Sequence, residues 1–413
     1  MIITTLQNIL YYCLFKYFGM YKNSLIVGIG LFFSSVFTLS AQEIVPAAHR
    51  VQEYIHLLQN KSIGVVANHT SLIEDTHIVD SLINMNVDIK YIFSPEHGFR
   101  GNKDAGKLIL NSIDSITGLP VISLYGKQKK PADHYFEHVD LMLFDLQDVG
   151  VRFYTYISTL HYVMEACAEN DTPLILLDRP NPNGYYIDGP VLDTAYRSFV
   201  GLHPIPVVYG LTIGELAFMI NGEGWINEKC DLKVIECDEY THSDLYDLPV
   251  PPSPNLPNMQ AVYLYPSLAF FEGTVMSVGR GTHFPFQVYG HPKYNEKDFY
   301  FVPLPTKGAS NPKYNGQKCY GHNLNDLIQL GRETSGIKPE YLKDAYLKTK
   351  TDTFFNSFFK LLAGTTKLQQ QIEAGVSAEQ IKSSWHQGLN DFNELRKKYL
   401  LYEDFERQGL KDE

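Results

Sequence analysis

The chain has 413 residues, 44% of them hydrophobic and 20% charged, with a formal net charge of -11. That is a globular composition, long enough for two domains or one large one. The acidic balance, with no basic stripe, excludes the electrostatic footprint of a nucleic-acid binder.

In chain order, the first feature is the apolar stretch from Ser24 to Ser40, preceded by Lys22-Asn23 and followed by Ala41-Gln42-Glu43. A basic flank, an apolar centre and a small residue at the cut site make a secretory signal, here residues 1–41. Met20 opens a compact signal by itself, so residues 1–19 read as an over-long start. No second run of about 18 apolar residues follows. The mature chain is therefore expected to be exported without stable membrane insertion, into the periplasm or, in a cell lacking an outer membrane, to the outside.

From residue 47 to about 240, helix-like and strand-like segments alternate. Ala47 to Gln59 reads as a helix, and Ile63 to Ala67 as an apolar strand. His77 to Met85 is helical, with Ile78, Leu82 and Met85 on one face. The largely apolar run Ile89 to Phe93 is a strand, as are Val121 to Leu124 and Asp140 to Phe144. Ser158 to Ala168 is helical, and Leu174 to Leu177 is a strand covered on both faces. The helix Thr212 to Asn221 and the strand Leu232 to Ile235 complete a parallel, doubly wound α/β pattern.

Five prolines between Pro249 and Pro257 end that pattern, because proline continues neither a helix nor a central strand. They divide the mature chain into residues 42–248 and 249–413. The second part is mixed, with short strands at Phe299 to Val302 and Lys318 to Tyr320. A capping box at Ser377 to Gln380 opens a long helix running towards Leu400. None of the cysteines forms a CxxC pair, so no zinc site is expected. Cys230 and Cys237 flank the last strand and either pair or remain buried thiols.

Polar loops follow four of the strands. They are Asn68-His69-Thr70-Ser71, the segment Ser94-Pro95-Glu96-His97-Gly98-Phe99-Arg100-Gly101, the segment Asp145 to Tyr156, and Asp178 to Gly184. Parallel strands deliver such loops to one edge of the sheet, where ligands of open α/β proteins bind. A fifth polar segment runs from Phe271-Glu272-Gly273-Thr274 to Gly279-Arg280-Gly281-Thr282-His283. The chain lacks the phosphate-binding glycine motifs after a strand, the GxSxG elbow and HExxH. What remains is a crevice rich in carboxylates (Glu96, Asp145, Asp148, Asp178, Glu272) with Arg100, Arg152, Arg179 and Arg280 interspersed. Facing carboxylates suit glycoside hydrolysis. The arginines either grip a substrate carboxylate or hold neighbouring acids in ion pairs, Arg152 with Asp148 and Arg179 with Asp178. A cell-wall esterase or amidase would instead need Ser71 or Ser94 activated by His69 or His97, and a non-catalytic envelope glycan binder would keep the crevice without turnover.

The motifs SPEHGFRG, DLQDVGVRFYTY, LDRPNPNG followed by GP, and FEGT followed by SVGRGTHFPF resemble those of the exo-β-N-acetylmuramidase family, once known only as a domain of unknown function. The resemblance runs from about residue 50 to 410. It implies an α/β chain whose Rossmann-like catalytic domain (42–248) is capped by a smaller α+β C-terminal domain (249–413), with the site between them. It also implies release of N-acetylmuramic acid from the non-reducing end of peptidoglycan-derived disaccharides or muropeptides. On the missing motifs, no cofactor and no metal are expected. The resemblance places Glu96 as the catalytic acid, His97 beside it and Glu272 as the second carboxylate. Expected substrate contacts are Asn68, His69, Arg100, Asp145, Asp148, Arg152, Tyr154, Arg179, Asn181, Asn183, Arg280 and His283.

Overall fold

The computed structural model describes residues 43–96, 98–100, 111–325, 336–349 and 351–405, which belong to one compact unit, Glu43–Glu413. The signal expected at residues 1–41 lies outside the described residues. Among the described residues no helix is long and apolar enough to cross a membrane.

A seven-stranded sheet dominates the first half. It contains β1 (Ser62–Ala67), β4 (Asp88–Ser94), β5 (Ser112–Ile113), β6 (Pro120–Ser123), β7 (Leu141–Asp145), β8 (Leu174–Leu177) and β9 (Leu232–Ile235). A two-residue hairpin, β2 (Leu72–Ile73) and β3 (Thr76–His77), stands apart from it. The order is β5-β6-β4-β1-β7-β8-β9, all parallel except the edge strand β5. The six parallel strands, taken in chain order, lie as 3-2-1-4-5-6, the doubly wound arrangement of dinucleotide-binding folds. The expected α/β class is therefore what the chain adopts. Strands β1, β7 and β8 are almost wholly buried, as their unbroken apolar runs require.

Helices cover both faces. On one side α1 (Val51–Leu58) and α2 (Ile78–Asn84) enclose a core of Tyr54, Leu58, Ile63, Val65, Ile78 and Leu82. On the other, α3 (Tyr156–Glu169) and α4 (Ile213–Gly222) pack on Val66, Phe144 and Leu176. This second core runs on without a break into Phe270, Phe271, Leu342, Phe359 and Phe392 of the later part.

After the proline-rich stretch, Asn258 caps α5 (Met259–Leu268), its side chain accepting from the Ala261 N–H at 2.9 Å. A 3-10 turn, Ala269–Gly273, carries the chain on to Glu272. Helix α5 escapes sequence reading because it is buried nearly all round and contains Pro266, so no amphipathic stripe marks it. The strands expected near residues 300 and 319 are β11 (Tyr300–Phe301) and β12 (Cys319–Asn323); with β10 (Val288–His291) they form an antiparallel sheet ordered β10-β12-β11. The helices α6 (Pro339–Lys348), α7 (Phe359–Ala363) and α8 (Lys367–Glu373) follow.

The expected capping box of Ser377 and Gln380 is made, but the long helix is broken into α9 (Ala378–Ser383) and α10 (His386–Arg396). Ser383 and Ser384 stand at the break. Ser383 Oγ donates to Glu379 O at 2.8 Å and Ser384 Oγ to Ile381 O at 2.6 Å, local bonds that compete with the helical ladder. Cys167, Cys230, Cys237 and Cys319 are all free and buried, which resolves the open question at Cys230 and Cys237 in favour of thiols.

Candidate active site

Strand register sets the level of the polar loops. Ala67 pairs with Asp145, Val66 with Phe93, and Ser94 with Ser123. The chain therefore leaves β1, β4, β6 and β7 along one edge. Between β1 and β7, where the strand order reverses, polar side chains lock onto one another. Asn68 Oδ1 accepts from Thr70 N and Oγ1 at 2.9 and 2.7 Å, while Asn68 Nδ2 donates to Tyr156 OH at 2.7 Å. Arg179 grips Asp145 through two bonds of 2.5 and 2.9 Å. The open cavity lies to one side of this plug, around Glu96.

Glu96 follows β4 in a turn closed by Gly98 N donating to Pro95 O at 3.2 Å. Arg100 anchors the far end of the turn. Its guanidinium bonds both carboxylate oxygens of Asp80, at 3.1 Å each, and both of Asp114, at 2.9 and 2.8 Å. The Arg100 bond holds the Asp114 pKa down at about 2. Phe99 packs edge-on against His77. The loop that presents Glu96 is thus clamped to α2 and to the strand edge. His97 lies outside the described residues.

Glu96 is half-buried and borders two spaces. The larger, about 550 Å³, is bounded by Glu96, Tyr125, Phe199, Glu272, Arg280, Phe358 and the run Gly308 to Lys313. A volume of this size suits a small polar ligand. The smaller, about 60 Å³, is an inner recess bounded by Glu96, Tyr154, Tyr156, Asn255, Tyr265 and Phe286. It accommodates water or a small substituent. Glu96, Phe153, Thr155, Tyr265 and Arg280 belong to both walls.

Thr155 Oγ1, at the start of α3, donates to Glu96 Oε2 at 3.4 Å. The Tyr125 phenol is hydrogen-bonded to Glu96 as well; burial first, then the Glu96 charge, drives the Tyr125 pKa upward, so the phenol keeps its proton as donor. Across the cavity Arg280 Nε donates to Glu272 Oε1 at 2.7 Å, and the guanidinium lies 5.0 Å from the centre of the Phe286 ring. Tyr154 donates to Pro252 O at 2.7 Å and bounds the inner recess. Of the expected site residues, the structure thus brings together Glu96, Glu272, Arg280 and Tyr154.

The others it places elsewhere. Arg152, fully buried, does not pair with Asp148. Its guanidinium donates to the carbonyls of Pro190, Ile205, Leu362 and Ala363, joining the two halves of the chain. Arg179 pairs with Asp145 and not with Asp178. Asp148 Oδ2 accepts from Gly150 N at 2.6 Å and from the Tyr209 hydroxyl; burial pushes its pKa up to about 6. Asn181 Nδ2 donates to Leu211 O, and Asn183 Nδ2 to Val149 O, both at 2.8 Å. His69 Nε2 bonds Pro251 O at 3.0 Å, and His283 is exposed beside Phe284. Asn68, Asp145, Arg100 and these groups border neither space around Glu96.

The serines of the esterase alternative are bound into the frame. Ser71 Oγ donates to Asp145 O at 2.5 Å, and Ser94 is fully buried. Sequence reading missed Tyr125 and Lys313, and reached Thr155 only as part of the loop Asp145 to Tyr156. Tyr125 had a signal, since it follows a strand on the same edge; Lys313 had none. No group of three or more His, Cys, Asp or Glu suited to a metal occurs among the described residues.

A parallel sheet with a cavity beside its carboxyl edge, walled by two carboxylates and two cations, defines an α/β protein built to handle a small polar substrate. The family follows from comparison. The N-terminal domain model of the exo-β-N-acetylmuramidase NamZ family matches residues 63–260 and the C-terminal domain model residues 263–402; the chain belongs to this family. It is 38% identical over 377 residues to the peptidoglycan β-N-acetylmuramidase NamZ of Bacillus subtilis (strain 168), spanning 85% of this chain and 89% of that protein. A crystal structure of a DUF1343 family protein from Bacteroides fragilis superposes with a TM-score of 0.82 at 46% identity, covering 88% of this chain and 99% of the other. A second DUF1343 protein of that organism gives 0.73 at 29% identity, covering 87% and 99%.

Proposed function

We propose that the chain is an exo-acting β-N-acetylmuramidase that releases N-acetylmuramic acid from the non-reducing end of peptidoglycan fragments such as MurNAc-GlcNAc. The observation that carries this reading, beside family membership, is Glu96 held by Tyr125 and Thr155 where the larger cavity meets the inner recess. Protonated Glu96 gives its proton to the glycosidic oxygen as the bond to C1 breaks; water supplies the hydroxyl that completes C1, and a carboxylate takes up the proton the water releases. Glu272, paired with Arg280 at 2.7 Å, is the second carboxylate of the cavity. His97, next to Glu96 in the chain, is proposed to orient it or to contact the sugar.

Chromatographic detection of MurNAc after incubation with MurNAc-GlcNAc tests the reading. Wild type is expected to release the sugar and Glu96→Gln to release it about 100- to 10,000-fold more slowly, the usual contribution of a general acid. No release by wild type removes the function; full activity in Glu96→Gln removes Glu96 as the acid. The leader pattern of residues 1–41 supports action in the periplasm, in recycling of wall fragments. Recovery of the tagged protein in the cytoplasmic fraction alone would oppose that placement.

A further inference from the structure

The charged groups that wall the larger cavity are Glu96, Glu272, Arg280 and Lys313. Glu272 and Arg280 are engaged with each other at 2.7 Å. The Lys313 ammonium makes no ion pair among the described residues. It donates to two backbone carbonyls, Thr274 O at 2.8 Å and Met276 O at 3.0 Å. An ammonium has three N–H donors, so one is left for a ligand. Once Glu96 carries the proton that the proposed reaction requires, the wall has an excess of one positive charge.

That charge is held in place. The Lys313 loop is tied down by Leu304 N donating to Gly281 O at 2.8 Å and by Asn255 Nδ2 donating to Gly308 O at 2.9 Å. Pro312 closes on Gly281 so tightly that a Cβ there would sit 2.7 Å from its ring. Thr274 and Met276 lie two and four residues after Glu272 in the chain, which ties the ammonium to the segment that carries the second carboxylate. Burial lowers the Lys313 pKa, Glu272 opposes that and Arg280 adds to it. A compact ammonium with two donors already aligned loses little freedom in taking a third partner.

We infer that Lys313 is the counter-charge for the lactyl carboxylate of N-acetylmuramic acid, and so the residue by which the cavity distinguishes this sugar from N-acetylglucosamine. The inference rests on the hydrolase reading above and assigns its selectivity to a residue outside the catalytic pair.

Calorimetric binding to the full chain carrying Glu96→Gln, with MurNAc, its lactyl methyl ester and GlcNAc as ligands, tests it. The free acid is expected to bind about 10- to 100-fold tighter than the ester, the range of a hydrogen bond to a charged group. Adding Lys313→Met is expected to close that gap while leaving affinity for the ester within about twofold. A gap that persists in Lys313→Met, or its absence in the parent, overturns the assignment. A second measurement needs no variant: acetylation of wild-type lysines, read by mass spectrometry, should be blocked at Lys313 by MurNAc and not by the ester. Equal labelling with both ligands overturns the assignment even where Lys313→Met does not fold. A carboxylate preference without MurNAc release would remove the hydrolase reading alone, whereas turnover with the preference intact in Lys313→Met would remove this inference alone.

Discussion

Asp148 and Asp114 are both buried, and their surroundings drive them in opposite directions. Burial raises Asp148 to about 6, so the folded chain holds that proton more tightly than the unfolded one, whose carboxyl titrates near 4. Its contribution to stability therefore falls as pH rises from about 4 to 6 and stays flat above; Asp178, also raised to about 6 by burial, acts the same way. Asp148→Asn should remove one such step. Relative to wild type it is expected to gain roughly 2–3 kcal/mol between pH 4 and pH 7, at 1.36 kcal/mol per pKa unit, measured by urea unfolding at each pH. Asp114, held near 2 by Arg100, contributes stability above pH 4 that is lost as pH falls through 2. Arg100→Met is expected to abolish that acid step and to cost about 1–3 kcal/mol at neutral pH, since it leaves Asp80 and Asp114 without their shared cation.

At the level of elements, the second carboxylate depends on how the 3-10 turn Ala269–Gly273 meets α7. A Cβ on Gly273 would lie 2.4 Å from the Cα of Phe359 and 2.7 Å from its nitrogen. Backbone cannot yield as a side-chain tip can, so the turn itself must shift. Gly273→Ala is expected to lower kcat at least about tenfold by displacing Glu272, since small misplacements are costly in catalysis, and to lower the melting temperature, both read in one purified sample. An unaltered kcat would show that Glu272 need not be fixed by this contact. Helix α4 shows the opposite economy: Thr212 and Glu215 form its reciprocal cap, and the same Glu215 carboxylate accepts from Leu401 N at 2.8 Å.

At the scale of the whole molecule, residues 396–404 pack into the N-terminal half of the chain. Tyr402 OH donates to Asp178 Oδ2 at 2.7 Å, Arg396 bonds Gly210 O and Asp404, and His242 faces Glu215 at 2.9 Å. Tyr402→Phe should cost about 1.5–3 kcal/mol, the worth of a hydrogen bond to a charged group. Deleting residues 400–413 should cost more than about 4 kcal/mol, because Glu215, Asp178 and Arg396 all lose partners inside the protein; urea midpoints of the three chains give the comparison. Equal midpoints for wild type and truncation would show that the contacts of Leu401, Tyr402 and Asp404 are not integral to the core.

The sequence by itself determined the α/β class, the edge of the sheet at which polar loops gather, and the motifs that mark the family. Apolar runs between turn residues are local, and parallel strands separated by helices leave few topologies open. It also pointed to Glu96, Glu272, Arg280 and Tyr154, because their motifs are contiguous. Tertiary structure alone decided which polar side chains face space and which face protein. Arg152 and Arg280 look alike in the chain, yet one meets four carbonyls from distant segments and the other a cavity. Lys313 and Tyr125 reach Glu96's surroundings from loops far apart in the chain. The physical reason is that a polar group's role depends on what desolvates and pairs with it, and those partners are set by packing at long range, where local pattern carries no information.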